Sequence, residues 1–381
     1  MILFTYSMFW ASLSFISYTY LGYPLVLRLI SYFFSVPVKK AAYNPLATLL
    51  ISVYNEEKVI AEKIENSLAL DYPKDQLEII IVSDASTDRT DEIASSYANY
   101  GLKILRNEVR IGKTSCLNKA VPEAKGDIII FSDANSVYDK SSIREIVANF
   151  ADSRVGCVTG FTKYFSEESN AMVESVGLYA SLEKKTKELE SRLGSCVGAD
   201  GAIFAIRKKL YQTLKATDIN DFVIPLQVVS KGYRTILEGD AFCYEKTAKD
   251  SQGEFLRQVR ITNRTLRAIF NNKELFNVYR YKLFSFNLFS HKLFKFMAPF
   301  SLIIMFLSNL VLAGRTLFFN LFLIFQVIFY GLAMLEKERE SGPLIKLISV
   351  CRTFVIVNIA ILKGWITYCK GEDFTTWKTD R

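Results

Sequence analysis

Apolar residues are arranged in two different ways along the chain. Between Pro45 and about Ala241 they come as short β-branched bursts, ATLLISVY, LEIIIVSDAS, LKILRN and DIIIFSDAN, separated by polar segments of helix length. That alternation predicts βαβ units and a parallel sheet with helices on both faces. Ligands of such sheets collect at the carboxyl ends of the strands. The residues that follow the bursts are Asn55, Glu56 and Glu57, then Asp84 and Asp88, then Arg106 and Asn107, then Asp133 and Asn135. Four strand ends therefore send polar groups toward one crevice.

Elsewhere the apolar residues run on without polar partners. From Ile2 to Leu27 no charged side chain interrupts the chain, and about 20 such residues suffice for a helix to cross a hydrocarbon core. No Lys or Arg precedes the run and it is longer than a signal-peptide core, so a transmembrane helix is predicted within residues 1–35. Arg28, Lys39 and Lys40 follow it. By the positive-inside tendency they put the large domain, residues 45–270, on the cytoplasmic side of the inner (plasma) membrane. Residues 271–294 mix Phe, Leu and Tyr with Arg280, Lys282 and Lys292, as helices lying along lipid headgroups do. From Phe296 to Leu335 only Arg315 is charged, which predicts a transmembrane hairpin over 295–335 that turns near Ala313 and Gly314. In residues 344–381, Lys346, Arg352 and Lys363 interrupt the apolar run. A short span, a re-entrant helix and an interfacial helix all fit there, with a non-spanning helix and a cytoplasmic tail favoured.

Composition narrows the classes. With the apolar ends set aside, 381 residues leave room for one catalytic-sized domain. A net charge of +8 suits anionic lipid as well as nucleic acid, and a juxtamembrane basic excess accounts for it, so no nucleic-acid partner is expected. The six cysteines show no C-x-x-C pairing and signal neither a zinc site nor a disulfide framework.

Taken singly, Ser83-Asp84 and Ser86-Thr87-Asp88 read as ordinary helix caps. In order and at these spacings, VYNEE at 53–57, SDASTD at 83–88, GKTSCLNKA at 112–120, SDAN at 132–135, GADG at 198–201, DIND at 218–221 and RQVR at 257–260 are hard to attribute to capping. From about Pro45 to Arg267 the chain resembles the family 2 glycosyltransferases, in particular the membrane-integrated branch with cellulose, chitin and hyaluronan synthases. The resemblance implies a GT-A fold, a Rossmann-like parallel or mixed sheet, joined to an α-helical transmembrane region. It implies a nucleotide-diphosphate sugar as donor, with a UDP-sugar expected, a divalent Mg2+ or Mn2+ ion, and inversion at the anomeric carbon.

The same resemblance assigns residues. Asn55 and Glu57 lie where the family receives the base or ribose, Asp84 where it hydrogen-bonds the base, and Lys113 near the nucleotide. Asp133 and Asn135 stand in the D-x-D metal motif, and the neutral Asn135 gives up one negative charge. Gly201 falls on the acceptor side, where its alternative reading is a tight turn. Asp221 matches the catalytic base, which takes the acceptor hydroxyl's proton as the new bond forms; Asp218 reads as a cap. Arg260 keeps the arginine of the Q-x-x-R-W motif, suited to a diphosphate, while Arg257 replaces the glutamine and Ile261 the tryptophan. Trp377 in the tail matches either a gating segment or an interfacial anchor.

Expected partners are thus a nucleotide-diphosphate sugar, a glycan or lipid-linked acceptor, the lipid bilayer, and export or polymerase proteins of such systems. The expected activity is sugar transfer to a polysaccharide or lipid-linked acceptor. A single-sugar transferase and a non-catalytic nucleotide- or glycan-binding subunit are the alternatives, the latter because of Asn135 and Ile261.

Overall fold

The computed structural model describes residues 1–165, 171–246, 251–335 and 342–375. Its strands are β1 Ala47–Val53, β2 Leu77–Ser83, β3 Lys103–Arg106, β4 Ile128–Asp133, β5 Val137–Tyr138, β6 Val155–Phe165, β7 Ile203–Arg207 and β8 Arg234–Lys246. They form one sheet in the order β3-β2-β1-β4-β7-β6-β8-β5. The four strands from β3 to β4 are parallel, as the sequence pattern predicts. Beyond β4 the sheet is mixed, because β7 runs antiparallel to both of its neighbours while β6 and β8 run parallel to each other.

Every residue of β1 is buried, which is the signature of a central parallel strand covered on both faces. Leu50, Ile80, Val82, Ile129 and Phe131 pack into one core, and Leu49, Ile51, Ile79, Ile81, Ile128 and Ile130 pack into the other. The period of two along each strand thus sorts neighbouring residues into opposite layers. Each such side chain contributes about 1.5–3 kcal/mol through burial.

The helices are α1 Ile2–Ser17, α2 Tyr23–Phe33, α3 Ile60–Leu68, α4 Thr90–Ser96, α5 Lys113–Glu123, α6 Ser142–Ala148, α7 Ala171–Leu193, α8 Asn220–Ser230, α9 Ser251–Asn271, α10 Val278–Tyr281, α11 Leu283–Asn287, α12 Phe294–Leu312, α13 Leu317–Ala333 and α14 Pro343–Cys369. A π-turn joins α1 to α2, and another joins α11 to α12. By length and composition, Ile2–Phe33, Leu283–Leu312 and Pro343–Cys369 are long and apolar enough to cross a membrane. Two differences from the sequence pattern follow. Residues 283–294, expected as part of an interfacial layer, are continuous with the long helix that runs to Leu312, because the π-turn carries the axis through His291 and Lys292 without a break. The segment expected not to span is one unbroken helix of 27 residues. Its Lys346 and Lys363 lie toward its two ends, and Lys363 rests 5.5 Å from the Phe255 ring. Lys337, Arg339 and Trp377 lie outside the described residues.

These helices are tied together by a few specific contacts. Phe9 of α1 is buried among Met305, Leu312 and Phe319, and Asn309 Nδ2 donates to Gln326 Oε1 at 2.8 Å between α12 and α13. His291 bridges two acids of α7, with Nδ1 2.7 Å from Glu190 and Nε2 3.0 Å from Glu183, while the Tyr23 hydroxyl donates to Glu190 at 2.5 Å. Helices α9 and α14 cross at Gly364, where an added Cβ would stand 2.6 Å from Cβ and Cγ2 of Thr262. Asn263 Nδ2 donates to Thr367 Oγ1 at 3.1 Å beside that crossing.

Gly364→Ala is expected to force α9 and α14 apart and to cost about 1–3 kcal/mol, the usual range for overpacking. It should lower the midpoint of thermal unfolding of the detergent-solubilised protein; an unchanged midpoint would mean the crossing relaxes freely.

Candidate active site

The strand ends of β1 and β2 are laced to each other before they meet anything else. Asn55, held at φ +52, accepts from the Thr87 backbone N–H at 2.8 Å. The Glu57 N–H donates to Asp88 at 3.1 Å, and the Arg89 N–H returns to Glu57 at 3.1 Å. Asp84 is fully buried, and its two oxygens accept the N–H groups of Ile111 and Gly112 at 2.7 and 2.9 Å. Its carboxylate therefore braces the turn into α5, a use that the sequence pattern did not foresee. The residue that turn needs is Gly112, with φ +87 and the backbone carbonyl of Thr375 against the place a Cβ would occupy.

A cleft of about 160 Å³ opens at the carboxyl end of β4. Among the residues that line it are Lys113, Asp133, Gly201, Asp221, Arg257 and Arg260, so the structure brings six of the sequence-predicted residues together. Asn55, Glu57, Asp84 and Asn135 are not among its lining. Instead the wall includes Tyr164, Asp200, Glu245 and Arg264, which sequence reasoning passed over. A charged residue at an inward position of a strand was the available signal for Glu245: Ala241 and Cys243 share its face of β8 and are buried. For Arg264 the signal was its place one helical turn after Arg260.

Asp221 sits in the first turn of α8, where the helix dipole favours a carboxylate. Its backbone carbonyl accepts the Ala199 N–H at 2.7 Å. Oδ1 is buried with no hydrogen-bond partner among the described residues, and Oδ2 would lie 2.9 Å from a Cβ added at Gly201. Gly201 thus makes the room in which this carboxylate sits. Burial pushes the Asp221 carboxyl above the ordinary value, against the opposing pull of Lys113, Lys187 and Arg264, with Asp133 adding to the rise. Asp218, by contrast, caps its own turn by accepting the Lys215 N–H at 2.9 Å.

The surrounding charges are nearly balanced. The Lys113 ammonium is paired with Asp133. Arg257 pairs with Glu254 at 3.0 Å on its own helix. Arg264 donates to the Thr217 carbonyl at 3.0 Å, to Thr114 Oγ1 at 3.1 Å and to the Asp218 carbonyl, and its burial lowers its pKa to about 10. Asp200 accepts from the N–H and hydroxyl of Thr162 at 2.8 and 2.9 Å and holds the GADG turn against β6. Glu245 accepts from Ser136 Oγ at 2.9 Å and is pushed up to about 7, first by burial and then by Asp133 and Asp200. Behind it Lys63, buried and donating to the Ser136 carbonyl at 2.6 Å, is lowered to about 8 by burial. The acidic side of the cleft presents oxygen donors alone, the set that a hard divalent cation takes. Glu145, Glu238 and Asp240 also converge, away from this cleft, but Lys40 already sits 2.5 Å from Glu145 and 2.9 Å from Glu238.

Residues 48–215 match the family described as Glycosyl transferase family 2. Over 219 residues the chain is 26% identical to the poly-beta-1,6-N-acetyl-D-glucosamine synthase of Staphylococcus aureus (strain COL), which covers 56% of this chain and 53% of the synthase. Over 118 residues it is 35% identical to the beta-monoglucosyldiacylglycerol synthase of Nostoc sp., covering 30% of this chain and 25% of that protein. The chain spans about half the length of the first of these relatives and less of the second. Among solved structures, a mannosyltransferase from Pyrobaculum calidifontis in complex with GDP-Man and Mn2+ aligns with a TM-score of 0.74 at 20% identity, over 96% of this chain and 100% of that one. The likeness shows a common fold, a GT-A mixed sheet with Rossmann-like topology and attached apolar helices.

Because the folded state disfavours the ionised form of Asp221, Asp221→Asn is expected to raise the thermal unfolding midpoint at pH 7. The gain should fade as pH falls toward about 3.9, the ordinary Asp value, below which the wild-type carboxyl is neutral in both states. Midpoints measured between pH 3 and 8 check it; a destabilised variant at pH 7 would mean the carboxylate is paired rather than stranded.

Proposed function

We propose that this chain, which carries a glycosyltransferase family 2 domain, moves a sugar from a nucleotide-diphosphate donor to a saccharide or lipid-linked acceptor with inversion, at the cytoplasmic face of a membrane. The observation that carries the reading is Asp221: a half-buried carboxylate whose buried Oδ1 lacks a partner among the described residues, in the same cleft as Lys113, Arg260 and Arg264. The acceptor hydroxyl gives its proton to Asp221 while its oxygen bonds to the anomeric carbon, and the bond from that carbon to the diphosphate oxygen breaks. Desolvation raises the proton affinity of Asp221, which suits a base that must take a proton near neutral pH. Arg260 and Lys113 neutralise the leaving diphosphate, where preorganised positive charge acts most strongly as charge accumulates.

Asp133, on the acidic side of the cleft with Glu245 and Asp200, fits a Mg2+ or Mn2+ ion, and such an ion would supply further positive charge to the diphosphate when bound. The apolar helices set the cleft beside a bilayer. In this reading α9 carries the diphosphate arginines on one face and packs against α14 on another. The relatives' names, a polysaccharide synthase and a glycolipid synthase, bracket the acceptor classes expected here. Product length separates a polymer-forming enzyme from one that adds a single sugar.

Nucleoside diphosphate release by the purified chain in detergent, with Mn2+ and a panel of UDP- and GDP-sugars, tests the proposal. Asp221→Asn is expected to lower turnover with the active donor by at least about 100-fold, the scale of general-base catalysis. The wild-type rate should fall as pH drops through the raised pKa of Asp221, since only the ionised form accepts the proton. Full sugar transfer by folded Asp221→Asn sinks the assignment, and silence across the panel favours a nucleotide- or glycan-binding subunit.

In the same assay Arg260→Ala is expected to lower kcat by about 100-fold or more, with a smaller change in KM, as for loss of one donor to a developing charge. Equal loss in KM alone would make Arg260 a ground-state contact.

A further inference from the structure

Asn135 stands second in the acidic pair after β4 and brings no charge, and it is not among the residues that line the cleft. A carboxylate reaches this place from another strand. β5 pairs antiparallel with β8, Val137 opposite Tyr244, and one step further the Ser136 hydroxyl donates to Glu245 Oε1 at 2.9 Å. On the other side of β8, Glu245 is the register partner of Tyr164 of β6, which also lines the cleft. Glu245 therefore occupies an inward position in a strand, between two walls of the cleft, where the alternation of Ala241 and Cys243 would otherwise continue with an apolar side chain.

Two further observations point to a cation here. Asp133 already draws the Lys113 ammonium to itself. Asp221 adds a buried carboxylate oxygen in the same cleft with no partner among the described residues. A hard divalent ion prefers anionic oxygens, and replacing one carboxylate of a pair by an amide removes half of the protein's charge toward it. A carboxylate hydrogen-bonded to the residue next to Asn135 makes up that charge from outside the motif.

We propose, resting on the reading of this cleft as a nucleotide-sugar site, that Glu245 is the carboxylate that holds the divalent cation together with Asp133, in place of the charge that Asn135 lacks. The Ser136 hydroxyl orients it, and its neighbour Tyr164 closes the wall beside it.

Mn2+ binding to the full chain in detergent tests this without reference to turnover. The electron paramagnetic resonance signal of free Mn2+ is titrated in the presence of saturating UDP or GDP. Glu245→Gln keeps the size of the side chain and an acceptor for Ser136, so it is suited to remain folded; the thermal midpoint verifies that. It is expected to weaken Mn2+ binding at least about tenfold, a loss seen even for groups that only orient a metal ligand. Glu245→Asp, which keeps the charge, should lose less, and Asn135→Ala should lose less than Glu245→Gln. Wild-type Mn2+ affinity in folded Glu245→Gln overturns the proposal, and so does a loss carried by Asn135→Ala instead. Loss in Asp133→Asn with none in Glu245→Gln removes Glu245 and leaves the donor-site reading standing. Absence of nucleotide-dependent Mn2+ binding in the wild type removes both.

Discussion

The guanidinium of Arg264 is the tie on which the arrangement of this molecule depends. It leaves α9, a helix packed on the apolar α14, and reaches the carbonyls of Thr217 and Asp218 in the loop before Asp221, together with the Thr114 hydroxyl on α5. One cation therefore joins the apolar helices, the loop that presents Asp221 and the helix that carries Lys113. Hydrogen bonds to charged groups contribute about 1.5–3 kcal/mol each, whereas a fully exposed pair such as Arg89–Glu92 is screened by solvent and contributes little. The difference decides which contacts set the geometry. The same helix is fastened to α14 by Asn263, by Arg267 through the Glu372 carbonyl at 2.7 Å, and by the close approach at Gly364.

A second tie runs through His291. It lies between Glu183 and Glu190 of α7, and Glu190 in turn accepts from Tyr23 of α2 and from the Val197 N–H, one residue before the GADG turn. Buried charged networks are costly to desolvate, so such a cluster is weak as a source of net stability and strong as a constraint on position. Here it orients α2 and the start of the long apolar helix against the strand system that presents Gly201 and Asp221. The apolar helices thus bear on both flanks of the cleft, one through Arg264 and one through Glu190. The cleft itself is held in tension of the opposite sort: Asp221 Oδ1 is buried with no hydrogen-bond donor among the described residues, and the surrounding folded mass keeps it there.

Local motifs were legible because their chemistry is local. Asp133, Lys113, Asp221 and Arg260 each belong to a short segment whose spacing is set by a strand end or a helix turn, and all four line one cleft. The bracing by Asp84 was not legible, because a carboxylate after a strand looks the same in sequence whether or not it also accepts from the next backbone turn, as it does here from the N–H groups of Ile111 and Gly112. Asn135, next but one to Asp133 in sequence, is likewise not among the residues lining this cleft. Glu245 and Tyr164 went unread because they come from the far part of the mixed sheet, and only the pairing of β8 with β5 and β6 carries them to Asp133.

The sequence by itself determined the four parallel strands β1 to β4, the long apolar segments and the residues at those strand ends, because hydrophobic period and local turn chemistry act over a few residues. It also determined that a carboxylate would open α8, since that depends on one turn of chain. Tertiary structure decided which acids face the cleft, which ones brace backbone, and that the last apolar segment is one unbroken helix packed on α9 at Gly364. Those outcomes depend on contacts between residues such as Ser136 and Glu245, or Arg264 and Asp218, that lie far apart in the chain. No local period encodes such pairs; they exist only once the sheet order has brought their strands and helices side by side.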